Sequence, residues 1–306
     1  MIRSYKDIDR LARGGDPRRL AVMAPEDMEF MKALKKSVLA GFIEPVLIGH
    51  KEKIEETAEA VNFDMGRCTM IFEEDRQAIS DLAVAMLFRG EVDMASKGQI
   101  PTAYVYRSMI RQESQAKSGR TISVISFWEI PGLDRLIALT DTGVNIRPDL
   151  RAKAAIVKNA VSCFHLFGYP RPRVGALSGM RHFDGVLASF DDMKELRGMA
   201  AAGELGDCEI LEETSFAELF LEPGTRLRTM DDISIDKIPD IILIPHLDTG
   251  NILVKLDFFL PVVRRSFVAT SRGPVIIPSR SDTAERIVGE LALGAVAADR
   301  MKGRIL

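Results

Sequence analysis

Cysteine is scarce: Cys68, Cys163 and Cys208 are scattered through 306 residues without paired spacing. They supply neither a disulfide framework nor a zinc site, and they fit a reducing compartment. Cys163-Phe164-His165 is too isolated to hold a metal, so no metal site is expected. Long apolar runs are missing as well, which excludes a membrane span, and the polar N-terminus MIRSYKDIDRLARGGDPRRL lacks a signal-peptide core. The expected location is the cytoplasm, with no membrane partner. Charge of one sign is not in excess: 41 Lys and Arg stand against 44 Asp and Glu, a formal net charge of −3. That balance argues against a nucleic-acid partner. Neither a GxGxxG nor a P-loop pattern occurs, so the usual nucleotide fingerprints are absent. There is no low-complexity linker and no repeat of fixed period.

What is present is ample core material, 46% hydrophobic residues against 28% charged. Short β-branched runs alternate with helical patterns through the first hundred residues. Strands are expected at 19–24, 44–49, 68–72 and 92–96, and helices from Pro25 to near Gly41, at 51–61 and at 75–90. Lys97-Gly98-Gln99-Ile100-Pro101-Thr102 then opens a helix carrying Arg107. Such alternation predicts an α/β protein with a mostly parallel sheet and helices on both faces. From Thr121 the chain turns β-rich, with strands at 122–128 and 135–140, a helix at 147–167 and a strand at 173–178. A mixed polar region runs to Asp236; a buried strand at 241–244 and a turn over 245–251 follow.

Pro274 to Ile287 combines a buried strand, a proline stop, the polar turn Ser279-Arg280-Ser281-Asp282 and the start of a helix over 284–301. Thr283 or Asp282 is its cap, with Glu285 in the first turn. A helix N-terminus presents free N–H groups and a positive dipole end, both suited to an anion, and Arg280 adds a forked contact. Taken by itself the stretch reads rather as ordinary capping, with Arg280 paired to Asp282 at the surface, because Ser, Asp and Thr are common cap residues.

Four stretches together resemble the phosphate acetyl/butyryltransferase family. Glu129-Ile130-Pro131-Gly132-Leu133-Asp134-Arg135-Leu136 with Thr140-Asp141 is similar to its E-I-P-G-x-D-R-L and T-D pattern. Gly90-Glu91-Val92-Asp93 with Lys97-Gly98 and Thr102-Ala103 resembles G-E-x-D, K-G and S/T-T-A. Asp248-Thr249-Gly250-Asn251-Ile252 with Lys255, and Ser279-Arg280-Ser281-Asp282, resemble the acidic-x-G-N-I-x-x-K and S-R-A-D turns. The resemblance implies a two-domain fold of the isocitrate/isopropylmalate-dehydrogenase type with its active site in the interdomain cleft. Domain one would take residues 1–120 and 270–306, and domain two 121–269.

The implied reaction is acyl-CoA plus phosphate giving acyl phosphate plus CoA in a ternary complex, with the CoA thioester as substrate and no cofactor. Ser279, Asp282 and Glu285 are then the expected catalytic residues: Ser279 as oxyanion donor, and the two carboxylates, with Asp248, as possible bases. Arg107, Arg280, Asn251, Lys255, Asp248 and Thr102 are the expected substrate ligands. Residues 209–240 preserve neither of the family's patterns for that region. They motivate the alternative of a non-catalytic or complex-dependent member that binds acyl phosphate or CoA within a larger assembly. The E-I-P-G-L-D-R-L stretch favours a butyryl-type over an acetyl-type enzyme. The resemblance implies a homodimer that buries an apolar surface of the second domains; the apolar stretch 253–263 is the candidate for it, and reads alternatively as internal core.

Overall fold

The computed structural model describes residues 1–179 and 186–302, divided by their contacts into two compact domains. Domain one comprises Tyr5–Ile122 and the chain from Arg265 onward; domain two comprises Met1–Ser4 and Ser123–Arg264.

Domain one begins with α1 (Tyr5–Gly14), β1 (Arg18–Met23), α2 (Met28–Leu39) and β2 (Ile43–Gly49). It continues with α3 (Lys51–Ala60), β3 (Thr69–Phe72), α4 (Arg76–Arg89), β4 (Met94–Lys97) and α5 (Thr102–Gln115). Local chemistry sets the helix starts: Asp27 and Asp75 accept hydrogen bonds from Phe30 N and Ala78 N, capping α2 and α4. Gly90, at φ 73°, closes α4 in the left-handed region where a side chain is strained. The strands pair in parallel, β3 with β2, β2 with β1 and β1 with β4. Leu20 to Met23 of β1 are entirely buried, because α4 and the C-terminal helix Ala284–Met301 both pack on the strand.

Domain two holds β5 (Ser123–Glu129), β6 (Ile137–Thr140), α6 (Leu150–Leu166), β7 (Arg173–Ala176), α7 (Ala188–Ala201), β8 (Glu209–Ile210), α8 (Phe216–Phe220), β9 (Ile241–Leu243) and α9 (Leu247–Leu253). The β5–β6 hairpin is antiparallel, while β6–β9, β9–β7 and β7–β8 are parallel. Its core gathers Trp128, Ile137, Leu139, Leu177, Leu219, Ile242 and Ile244.

The chain re-enters domain one through β10 (Val263–Ala269), β11 (Pro274–Ile276) and α10 (Ala284–Met301). β11 pairs antiparallel with β10 and parallel with β4, so the C-terminal segment completes the N-terminal sheet. α10 packs against α1 and α2. Gly289 and Gly294 let it lie close to the strands, since a Cβ there would stand 2.6 Å from Nε of Arg265 in β10 or from Cε of Met94 in β4.

Several elements differ from the sequence expectation. Met1–Ser4 sit in domain two because Ile2 N donates to Phe167 O at 2.8 Å and Tyr169 Oη donates to Ile2 O at 2.9 Å. α1, which sequence patterning missed, is held by Arg265, whose guanidinium bonds Asp9 and stacks on Tyr5 at 4.2 Å. The mixed polar region contains α7 and α8, the latter closed by a Ser215–Glu218 capping box. Residues 247–251, expected within the turn over 245–251, belong instead to α9 despite its central glycine.

Candidate functional site

The C-terminal ends of parallel strands place loops together, and in domain one those of β1, β4 and β11 do so. The loops build a cavity of about 30 Å³ lined by Asp27, Lys97, Gly98, Gln99, Ser279, Arg280 and Asp282, over apolar Phe30, Pro278 and Ile287. The K-G and S-R-S-D stretches, 180 residues apart in the chain, thus meet: Lys97 Nζ donates to Pro278 O at 3.3 Å. Gly98 allows the closure. A Cβ there would lie 2.1 Å from Ala24 O, while Gly98 N donates to Met23 O at 2.7 Å.

Within the turn, Asp282 is buried and its Oδ2 accepts from Ser279 N at 2.7 Å. Its Oδ1 lies 3.7 Å from Arg286 Nη1. Asp282 therefore pairs with Arg286, not with Arg280. Arg280 is exposed and has no ion pair or hydrogen bond among the described residues. Ser279 Oγ is exposed and lies 3.0 Å from Ser281 Oγ.

The N-terminus of α10 differs from the expected open anion cradle. Glu29 Oε2 accepts from Ala284 N at 2.8 Å, and Thr283 Oγ1 caps Arg286 N. Those two N–H groups are already satisfied. Glu285 points away: it is exposed, bonds Lys36 of α2, and does not line the cavity. That bond holds its carboxyl below the usual glutamate range, which makes it a poorer proton acceptor. Thr102 is the first residue of α5, half-buried, and Arg107 lies exposed on the same helix, its Nη1 donating to Gln77 Oε1 at 2.8 Å over the Tyr104 ring. Neither lines the cavity.

Domain two brings another pair of motifs together. Asp141 is buried, and its carboxylate collects backbone N–H groups from Val124, Gly143, Val144 and Asn145. Gly250 of α9 rests on this loop: a Cβ would meet Asp141 O at 2.8 Å and Thr142 Cα at 2.9 Å. This close approach explains a glycine inside a helix, at a propensity cost of about 1 kcal/mol. Asp248, Asn251 and Lys255 are exposed on and just beyond α9. Beside them an apolar cavity of about 640 Å³ opens between Leu177, Leu187, Phe216, His246, Thr249 and Leu253.

Lys97, in the sequence only one letter of the K-G motif, lines the cavity and is buried. Burial is the largest influence depressing its pKa, with neighbouring Arg280 second. Pattern alone did not show that this lysine ends a central strand. Other motif residues prove architectural. Arg135 donates to the carbonyls of Ile235 and Ile238 and meets Asp240 at 3.3 Å, fastening residues 235–240. Asp93 accepts from Arg19 N at 2.8 Å, tying the start of β4 to β1.

Known proteins show the same arrangement of elements. A phosphate butyryltransferase from Clostridium beijerinckii is 27% identical over 93% of this chain and 94% of its own. A branched-chain phosphotransacylase from Enterococcus faecalis V583 superposes with a TM-score of 0.73 at 21% identity, covering 92% of this chain and 99% of that one. A 4-hydroxythreonine-4-phosphate dehydrogenase from Klebsiella pneumoniae shares the fold at 12% identity, with a TM-score of 0.58 over 92% of this chain and 100% of that one. The expected dehydrogenase-like α/β architecture is thereby met. The family model described as phosphate acetyl/butaryl transferase matches residues 66–295, which span the motifs that converge in each domain. The chain belongs to that family.

Proposed function

We propose that this protein transfers a short acyl group between CoA and inorganic phosphate, acyl-CoA plus phosphate giving acyl phosphate plus CoA. The observation that carries this reading, beside family membership, is Arg280: an exposed guanidinium with no ion pair among the described residues, on the wall of a polar cavity. Its forked donors suit a tetrahedral oxyanion. A phosphate oxygen held there attacks the thioester carbonyl. The C–O bond forms, the tetrahedral oxyanion collapses, the C–S bond breaks and CoA leaves as a thiolate. No cofactor and no covalent enzyme intermediate are needed.

Ser279 is the side-chain donor assigned to the oxyanion. Asp282 holds the turn in shape, and Asp248, Asn251, Lys255, Thr102 and Arg107 are kept as substrate contacts. The apolar cavity beside α9 suits the acyl or pantetheine portion of a thioester, because its walls are mostly carbon. A butyryl-type substrate follows from the E-I-P-G-L-D-R-L stretch. Homodimer formation is the matching proposal for domain two, where Ile252, Phe258, Phe259, Leu260 and Val263 are all exposed. Apolar patches of this kind mark association surfaces, and a monomer mass for the protein at micromolar concentration by sedimentation would reject it.

The test is phosphate-dependent release of CoA thiol from acetyl-, propionyl- and butyryl-CoA by wild type, Arg280→Lys and Arg280→Gln. Arg280→Gln should weaken phosphate binding and lose about 10²-fold in turnover, the order expected when the contact that aligns the attacking group is lost. Arg280→Lys should fall between, keeping charge without the fork. Normal release by Arg280→Gln removes Arg280 from the site. No release by wild type with any of the three thioesters favours the complex-dependent member that residues 209–240 suggest.

A further inference from the structure

Lys97 closes β4 at the sheet centre and is 6% exposed. A buried ammonium normally sits against a carboxylate, yet none among the described residues lies within salt-bridge distance of it. Its contacts are the carbonyls of Gly98 and Pro278, both at 3.3 Å. These are long for charge-assisted bonds, which fall near 2.7–2.9 Å.

The carboxylates on the same cavity are engaged elsewhere. Asp27 Oδ1 accepts from Phe30 N and its Oδ2 from Gln99 Nε2, each at 2.8 Å. Asp282 serves Ser279 N at 2.7 Å and faces Arg286. Two cations, Lys97 and Arg280, therefore share one small cavity without a counter-charge bonded to either. Like charges so placed repel, and a doubly charged tetrahedral anion is the ligand that relieves both.

Resting on the acyltransferase reading, we propose that Lys97 is the fixed second cation of the phosphate site, anchoring one edge of the anion from beneath while exposed Arg280 closes over it. The division of labour follows from burial. Lys97 is a point charge held by the sheet and loses little freedom on binding, whereas Arg280 is free to swing and supplies the fork. A pH limit on phosphate binding comes with it. Burial and Arg280 lower the Lys97 pKa, opposed by Asp282, Glu290 and Asp27. The ammonium is present at lower pH and is lost as pH rises through that lowered value, so phosphate affinity falls on the alkaline side. Bound anion favours the charged form and moves the loss to higher pH.

The experiment is calorimetric titration of inorganic phosphate into the full-length protein from pH 7 to 10, using wild type, Lys97→Met and Lys97→Arg. Wild type should weaken towards pH 10. Lys97→Met should bind phosphate about 10- to 100-fold more weakly at pH 7, the ordinary loss for one charged contact, with a flattened pH profile and CoA affinity unchanged. Lys97→Arg should restore much of the affinity and hold it to pH 10, because guanidinium does not titrate there. Thermal melting of Lys97→Met at or above wild type shows the fold intact. Phosphate affinity within twofold of wild type in Lys97→Met, with the same pH profile, overturns the proposal, as does a wild type that binds no phosphate. The reaction is judged separately: Lys97-dependent phosphate binding without thiol release sinks the acyltransferase reading and leaves the anion site standing. Normal thiol release by Lys97→Met, at unchanged KM for phosphate, sinks only the Lys97 assignment.

Discussion

Asp282 separates a base from a scaffold, and its two neutral replacements tell them apart. Its carboxylate accepts Ser279 N at 2.7 Å and lies 3.7 Å from a half-exposed Arg286 guanidinium. Asp282→Ala leaves Ser279 N without its partner, a loss of about 1.5–3 kcal/mol for a hydrogen bond to a charged acceptor. The half-exposed Arg286 pair adds at most about 1 kcal/mol. The total is roughly 1.5–4 kcal/mol, or about 3–16 °C in melting temperature for a domain of this size. Asp282→Asn keeps an oxygen that can accept the same N–H and should lose only about 1 kcal/mol. If Asp282 acts through the turn, Asp282→Asn retains thiol release within about tenfold, while Asp282→Ala loses far more and raises the KM for phosphate as Ser279 and Arg280 loosen. The assays are circular-dichroism melting and thiol release at varied phosphate. Equal loss of turnover in both variants, with phosphate KM unchanged and the Asp282→Asn melt near wild type, refutes the scaffold role and restores Asp282 as the base.

Gly98→Ala should destabilise by about 3 kcal/mol or more, since its Cβ would stand 2.1 Å from the Ala24 carbonyl oxygen; a melting temperature like wild type would show that the β1 and β4 loops yield easily. Glu285→Gln should leave kcat and KM within twofold of wild type, because its partner is Lys36 and it does not line the cavity; a large loss of kcat would return it to the catalytic set. The cysteines should stay silent in the thiol assay. Burial pushes Cys68 and Cys208 up to about 11 and Cys163 higher still. The thiolate, the reactive form, is then about one part in a thousand at pH 8. Native protein should label slowly and all three thiols promptly after unfolding; rapid stoichiometric labelling of the native state would contradict that burial.

Local chemistry was readable where one residue decides one feature. Asp27, Asp75, Asp149 and Thr283 each cap a helix through their own side chains, and β-branched runs mark β2 and β9. The parallel alternation, and hence the α/β class, followed from those punctuation marks. The motifs were legible as family marks but not sorted by role. Arg135 and Asp93 look as functional in the sequence as Arg280 does, yet they bond backbone across the fold.

What only tertiary structure decided is which groups are already satisfied. That Asp282 turns to Arg286 and leaves Arg280 free depends on a turn closed by Ser279 N. That α10 begins with its first amide taken depends on Glu29, 255 residues distant. Gly250 belongs inside a helix only because the Asp141 loop presses against it. Lys97 became a site residue only when β11 returned beside β4 and buried its ammonium next to Arg280. Propensity and capping act over a few residues, so a chain written in order displays them. Burial, charge pairing and the absence of a partner arise between segments far apart in sequence, and they exist only once the sheet has assembled.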